Sequence, residues 1–270
     1  MTAYLGSLGS LVRVECPADQ SKNTERPTRY LNTLGGSTFA QVGPRTKRSW
    51  DVRLPRVSTP AEVATWQAFV EGEHGHGPWW FVPEMAATTN VMSPRGSVLD
   101  SPQVGTSLNG GPIVLSDGQR SGRSLLVEST DTNVFLPRVD GASEYVPVIH
   151  GIPVSASVWA RGPSPRLRVQ FYDSSFEVLT VVTGASGGAG ARILEANNVP
   201  VPMGAVAALL RVDGVTNVAR PSITWTDAVR PWAVGAGAPK VHVAGFSEDV
   251  TLAVPGREMV GAALTVQEVG

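Results

Sequence analysis

The chain has 270 residues, a formal net charge of −1, and 42% hydrophobic against 17% charged residues. That composition supplies a core for one large or two ordinary domains, and its near-neutral balance argues against a basic nucleic-acid-wrapping surface or an acidic solvating tail. A single cysteine, Cys16, rules out an internal disulfide and reads as a small buried hydrophobe. Glycine and proline are plentiful and scattered, as in chains of many short strands joined by turns. The first ten residues lack a basic start and an apolar run, so no signal peptide is expected. No segment approaches the length of a membrane span, and synthesis in a cytoplasm without membrane insertion is the expectation.

Leu11 to Cys16 alternates, with Val12, Val14 and Cys16 on one face, and Pro17 stops it. Ala18 to Arg29 is polar and reads as an exposed loop. Thr38 to Val42 reads as a short strand between the Gly35-Gly36 and Gly43-Pro44 breaks, and the basic cluster Arg45, Lys47, Arg48 as a solvated edge. Trp50, Val52 and Leu54 mark one face of the next strand. The clearest helix covers about 59–71. Thr59 and Glu62 make a capping box, Pro60 sits at the first helical position, and Gly72 suits the left-handed end. Val63, Trp66 and Val70 form its apolar stripe, with Phe69 beside it.

Trp79-Trp80-Phe81-Val82 reads either as a fully buried strand or as a surface patch for a partner. Ser93 to Ser97 is linker-like, and little regular pattern follows up to Gly122. Pro153 to Arg161 and Leu167 to Asp173 then alternate cleanly and read as a hairpin. Val178 to Val182 continues that sheet. Gly184 to Gly190 reads as a flexible loop. Arg192 to Ala196, Ala205 to Val212 and Ser222 to Thr226 are further strands, Val234 to Ala238 a linker, and three closing strands carry Val241 through Val266. Too few helical segments exist for a parallel doubly wound sheet.

Four patterns invite a chemical reading. Gly184-Ala185-Ser186-Gly187-Gly188 matches the G-x-S-x-G of hydrolase elbows, but that device needs a helix after the serine and no helical pattern follows. His74-Gly75-His76 with Glu71 and Glu73 falls short of the three or four ligands zinc needs, and a turn after the helix explains it better. No metal site and no catalytic residue are therefore expected. Asp100, Asp117, Asp131 and Asp140 lie in turn-rich segments without a spaced acidic loop, which leaves a structural calcium open. No other cofactor is implied. Trp159, Gln170 and Tyr172 share the more polar phase of two strands expected to be adjacent. There, rings that stack on sugars and an amide that fixes hydroxyls would make a glycan-binding face. The alternative is that this phase is the core and the aliphatic phase faces outward.

Tyr4-Leu5-Gly6, Trp50-Asp51-Val52, the capped Trp66 helix, Gly77-Pro78-Trp79-Trp80-Phe81 and Asn90-Val91-Met92 together resemble minor tail proteins of long-tailed bacteriophages, especially those of actinobacterial hosts. Lys240-Val241-His242-Val243 and Glu248-Asp249-Val250 extend the likeness, which is to the distal tail protein type. The middle, from Gly122 through Ser155-Ala156-Ser157-Val158-Trp159 to Phe171-Tyr172-Asp173, is similar to a carbohydrate-binding-module jelly roll. The resemblance implies a mainly β protein: a tail-tube-like β-sandwich with one α-helix over 1–92 and 236–270, and an inserted jelly roll over 93–235. It differs from relatives whose accessory domain is C-terminal.

The resemblance further implies a non-enzymatic virion component at the tail tip, assembled in the host cytoplasm. Copies would form a homo-oligomeric, hexameric ring between the tail tube and the host-recognition apparatus. The baseplate hub and tape measure would be neighbours, and DNA would pass through the lumen unread. Trp79, Trp80 and Phe81, with the Ala18 to Arg29 loop, are the expected subunit contacts, and the jelly roll would meet host cell-wall glycan. The alternative is a stand-alone glycan-binding β-sandwich protein without enzymatic activity.

Overall fold

The computed structural model describes residues 2–15, 19–25, 28–32, 38–42, 47–99, 113–114, 125–128, 133–139, 142–254 and 257–269. The protein is mainly β, built from antiparallel sheets with few helical segments. It divides into two compact units. The first comprises residues 1–3, 13–81 and 239–270; the second comprises 4–12 and 82–238. Thus the stretch Val82 to Met92 clusters with the second unit. Cys16, the Gly35-Gly36 and Gly43-Pro44 breaks, and the four candidate calcium aspartates lie outside the described residues.

The chain opens with strands β1 (Thr2–Ser7), β2 (Ser10–Glu15), β3 (Asp19–Glu25), β4 (Thr28–Asn32), β5 (Thr38–Val42) and β6 (Lys47–Ser58). Helix α1 (Pro60–Glu71) and strand β7 (Trp79–Val82) follow. Two short helices come next, α2 (Glu84–Thr89) and α3 (Pro94–Val98), then β8 (Ile113–Val114), β9 (Leu125–Glu128), β10 (Asn133–Leu136), β11 (Arg138–Val139), β12 (Ala142–Ser143) and β13 (Val146–Pro147). The longer strands β14 (Val154–Gly162), β15 (Arg166–Tyr172), β16 (Val178–Ser186), β17 (Gly190–Val199), β18 (Ala207–Asp213) and β19 (Asn217–Thr224) continue the second unit. Strands β20 (Ala238–Val254) and β21 (Arg257–Glu268) close the chain.

A seven-stranded sheet runs in the order β2-β1-β7-β20-β21-β6-β3. The two ends of the sequence therefore share one sheet: β21 pairs antiparallel with β6, Leu264 opposite Val52 and Val266 opposite Trp50. Alternation decides which face is buried, and Trp50, Val52, Leu54, Leu264 and Val266 all lie inside. The segment 19–25, expected as part of a loop, is instead the edge strand β3, paired along β6. Its residues Lys22 to Glu25 point into solvent, so the polar sequence reflects exposure rather than lack of structure. The closing strands number two rather than three. A bulge between Ala244 and Ser247, with Gly245 at φ 66°, bends β20 without ending it.

Helix α1 has the expected ends. Thr59 Oγ1 accepts from the Glu62 N–H at 3.4 Å, Glu62 Oε2 accepts from the Thr59 N–H at 2.6 Å, and Gly72 adopts the left-handed conformation. Its buried stripe is Val63, Trp66 and Phe69, whereas Val70 is 39% exposed, a correction to the expected set. Burying those three side chains contributes about 1.5–3 kcal/mol each. Arg48 is buried too, not solvated as expected: its guanidinium makes a two-point pair with Glu268 at 2.8 and 2.9 Å and lies over Trp50.

In the second unit, one sheet runs β10-β18-β15-β16, with β13 also on β18, and the other β17-β14-β19-β9-β8. Their aliphatic faces are buried in sandwich fashion, with Leu167, Val169, Phe171, Leu210 and Val212 on one and Ala156, Val158, Leu194 and Ile223 on the other. Strands β14 and β15 therefore do not form the expected hairpin. β14 pairs with β17 and β19, and β15 with β16, which follows it directly, and with β18, so both are central strands.

Neither expected linker is loose. Ser93 caps α3, its Oγ accepting from the Gly96 N–H at 3.0 Å, and Ser97 is buried. The segment 235–237 lies against 90–92 through Ala236 N–H to Asn90 O and Gly237 N–H to Met92 O, at 3.0 and 3.1 Å. A Cβ on Gly235 would collide with the Met92 and Ser93 carbonyls, so only glycine permits this approach. Asn90 is fully buried with its amide satisfied. Nδ2 donates to the Pro221 and Ala233 carbonyls, and Oδ1 accepts from the Met92 and Ile223 N–H groups.

Candidate functional site

The side of the β10-β18-β15-β16 sheet opposite its aliphatic core carries rings, charge and an amide; Tyr172, Ala207 and Leu209 there are themselves buried with Leu8 and Tyr145 packed against them, and Gln170 is buried too. Register places Phe135, Arg211, Arg168 and Thr183 in one row across it. Leu209, Gln170 and Val181 form the next row, and Ala207, Tyr172 and Val178 the third.

Two arginines facing each other across a strand pair would repel. Asp213 resolves this. Its Oδ1 accepts from Arg211 Nε at 2.7 Å, and its Oδ2 lies 2.8 Å from Arg168 Nε as an ion pair without hydrogen-bond alignment. The three side chains are 29%, 28% and 18% exposed for Arg168, Arg211 and Asp213. Arg211 also lies over the Phe135 ring, 5.8 Å from its centroid.

The aromatic end of the face is built by Tyr172, Tyr145 and Phe176. Tyr145 packs edge-on against Tyr172 with centroids 5.0 Å apart and tilted against Phe176 at 4.7 Å. Tyr172 is only 6% exposed, and its hydroxyl donates to Gln170 Oε1 at 2.9 Å. Burial, then the neighbouring Tyr145, push the Tyr172 phenol above its ordinary value, while Arg211 opposes them. Phe176 is 45% exposed and held at φ 60°, a left-handed conformation unusual for an aromatic residue. Asp173 fixes it there: Oδ1 accepts from the Ser175 and Glu177 N–H groups at 2.9 and 3.0 Å.

The expected trio of Trp159, Gln170 and Tyr172 is thus only partly assembled. Gln170 and Tyr172 touch each other. Trp159 sits on β14, in the other sheet, opposite Ile193 and Ala219. The expectation of two adjacent strands is corrected, because the turn after β14 crosses between sheets instead of closing a hairpin. Tyr145 and Phe176 escaped sequence reasoning. Phe176 follows an Asp-Ser-Ser turn, and that Asx turn was the only available signal. Tyr145 lies between β12 (Ala142–Ser143) and β13 (Val146–Pro147), outside any strand, so no alternation marks it.

Trp79, Trp80 and Phe81, expected as subunit contacts, are 4%, 6% and 1% exposed. The rings are used inside the first unit. Trp79 stacks edge-on against Phe69 and donates from Nε1 to the His74 carbonyl at 3.2 Å, and Phe81 packs against Trp50. They offer no surface to a neighbour, which corrects that expectation in favour of the buried strand. Ser186 ends β16, and Gly190 begins β17 after three intervening residues, so a strand rather than a helix follows the serine. Among the described residues no group of three or more His, Cys, Asp or Glu is arranged to hold a metal ion, and no helix is long and apolar enough to cross a membrane. Compared with known proteins, the chain matches no family model, no curated protein and no solved structure.

Proposed function

We propose that this chain is a structural, non-enzymatic component of a bacteriophage tail tip, a distal-tail-type protein whose copies form a ring around the DNA path. In this reading the first unit is the tail-tube-like body and the second an inserted jelly roll. The observation that carries it is the seven-stranded sheet, in which strands from both ends of the chain pair, while the middle, 82–238, clusters in a second unit that also takes in residues 4–12. An insertion of this kind needs its entry and exit close together. The hydrogen bonds between 90–92 and 235–237 supply that. A sheet that ends in exposed strands invites closure by neighbours, and a ring of repeated contacts satisfies every edge. With Trp79, Trp80 and Phe81 buried, the edge strand β3 replaces them as the candidate subunit contact.

The ring reading is tested by native mass measurement over a range of concentration. A single closed oligomer is expected; monomer at every concentration contradicts it.

The exposed edge beside the buried Gln170–Tyr172 pair is the proposed glycan site of the accessory unit, with Phe176 and the partly buried Tyr145 as the stacking rings in place of Trp159. Tyr145→Ala combined with Phe176→Ala is expected to lower binding to host cell-wall polysaccharide by about tenfold or more, since each lost stacking ring is worth roughly 0.5–1.5 kcal/mol. Trp159→Ala is expected to leave it unchanged. Equal loss in both variants, in a pull-down against purified walls, contradicts the assignment. The same rings favour a second reading, a stand-alone glycan-binding protein, which the mass measurement separates from the first.

A further inference from the structure

Strand β16 ends its sheet, and among the described residues no strand pairs with its outer edge. From Val178 to Ser186 it carries no charged residue and no proline. Natural edges are normally guarded by charge, proline, bulges or brevity, because a row of open N–H and C=O groups templates another strand. Here bulges interrupt the pairing near Leu179 and near Gly184, and the run Thr180 to Thr183 between them is regular. The side chains of Val178 to Val181 are exposed, while Gly184 near the end of the strand lies against Glu195 and Ala196 of β17. Nine large hydrophobics are exposed among the described residues, and four of them, Phe176, Val178, Leu179 and Val181, fall within six consecutive positions at this edge. Single exposed apolar residues need no explanation, whereas a concentrated patch does.

The charges that flank the strand indicate what covers it. Asp173 and Glu177 stand before its start, and the Arg192 side chain lies against Gly187 just past its end. Antiparallel pairing with an identical strand sets the acidic start of each copy beside the basic end of the other, twice by symmetry. Parallel pairing would set like charges together. The neutral middle offers no like-charge opposition and pairs β-branched side chains with one another, which strand pairs favour.

We infer that β16 is a self-pairing edge: two copies of this chain join antiparallel along Val178–Ser186, giving one sheet continuous across a two-fold axis. This pairing does not depend on the ring: it makes a two-fold dimer of a monomer, and with its axis crossing the ring axis it doubles a ring into a closed dihedral assembly.

Sedimentation of the full chain tests it. The wild type is expected to have twice the mass of the Leu179→Lys, Val181→Lys double variant, and equal masses overturn the inference. Charge reversal provides a test that disturbs no apolar contact. Glu177→Arg and Arg192→Glu should each weaken the doubling by about tenfold, and the two together should restore it. A combined variant as weak as either single one overturns the inference. A ring whose mass is unchanged by the lysines would sink edge pairing alone. A factor of two without any ring would sink the ring alone.

Discussion

Tyr172 shows how one side chain links packing to a measurable titration. Its phenol is buried against Tyr145 and donates to Gln170, so the protonated form is favoured in the folded state. A folded pKa above the ordinary 10.0 means that the unfolded chain releases its proton first as pH rises. The stabilisation is therefore complete below about pH 10 and is lost as pH climbs through the raised value. Urea unfolding of the wild type and of Tyr172→Phe should diverge in slope only above about pH 10, with the wild type falling faster. Parallel pH profiles would contradict this. Trp66 makes a second residue-scale case. Its indole Nε1 is buried without a hydrogen-bond partner among the described residues. Leaving such a group unpaired costs about 1–3 kcal/mol. Trp66→Phe removes that penalty along with some volume, so chemical denaturation should show a loss well under the roughly 3–5 kcal/mol expected of Trp66→Ala.

At the scale of elements, local chemistry was legible and pairing was not. Helix α1 followed from its caps, and Trp50, Val52 and Leu54 from alternation, because both signals are carried by neighbours in sequence. The partners of β14 and β15 were not readable, since alternation says which face a strand buries and nothing about which sheet it joins. Arg48 looked solvated because its partner Glu268 lies at the other end of the chain. Gly235 looked like linker because its role is to let two backbones touch. The candidate site divides in the same way. Gln170 and Tyr172 were visible as a strand phase, whereas Tyr145 and Phe176 arrive through tertiary packing and an Asx turn.

Two variants test the contacts that hold elements together. Glu268→Ala removes the two-point carboxylate partner of the buried Arg48 guanidinium and should destabilise the first unit by about 1.5–3 kcal/mol, read by denaturant melts. Asn90→Ala strips hydrogen-bonding partners from four backbone groups in the second unit and should cost at least about 3 kcal/mol, given roughly 1–3 kcal/mol for each buried group left unsatisfied. A loss below about 1 kcal/mol at either position would show that solvent or rearrangement takes over those partners.

At the scale of the whole molecule, the two ends of the sequence meet in one sheet while the middle folds as a sandwich of its own. Each of its larger sheets ends in a strand with an unpaired edge among the described residues: β3 ends the seven-stranded sheet, and β16 ends one sheet of the second unit.

Electron microscopy of the purified full-length protein tests the tail-tip reading most directly. Annular particles with a central hole wide enough for duplex DNA, and with one extra globular lobe per subunit, are the expected images. Fields of single compact particles without a hole, at concentrations where mass measurement finds no higher species, would contradict it.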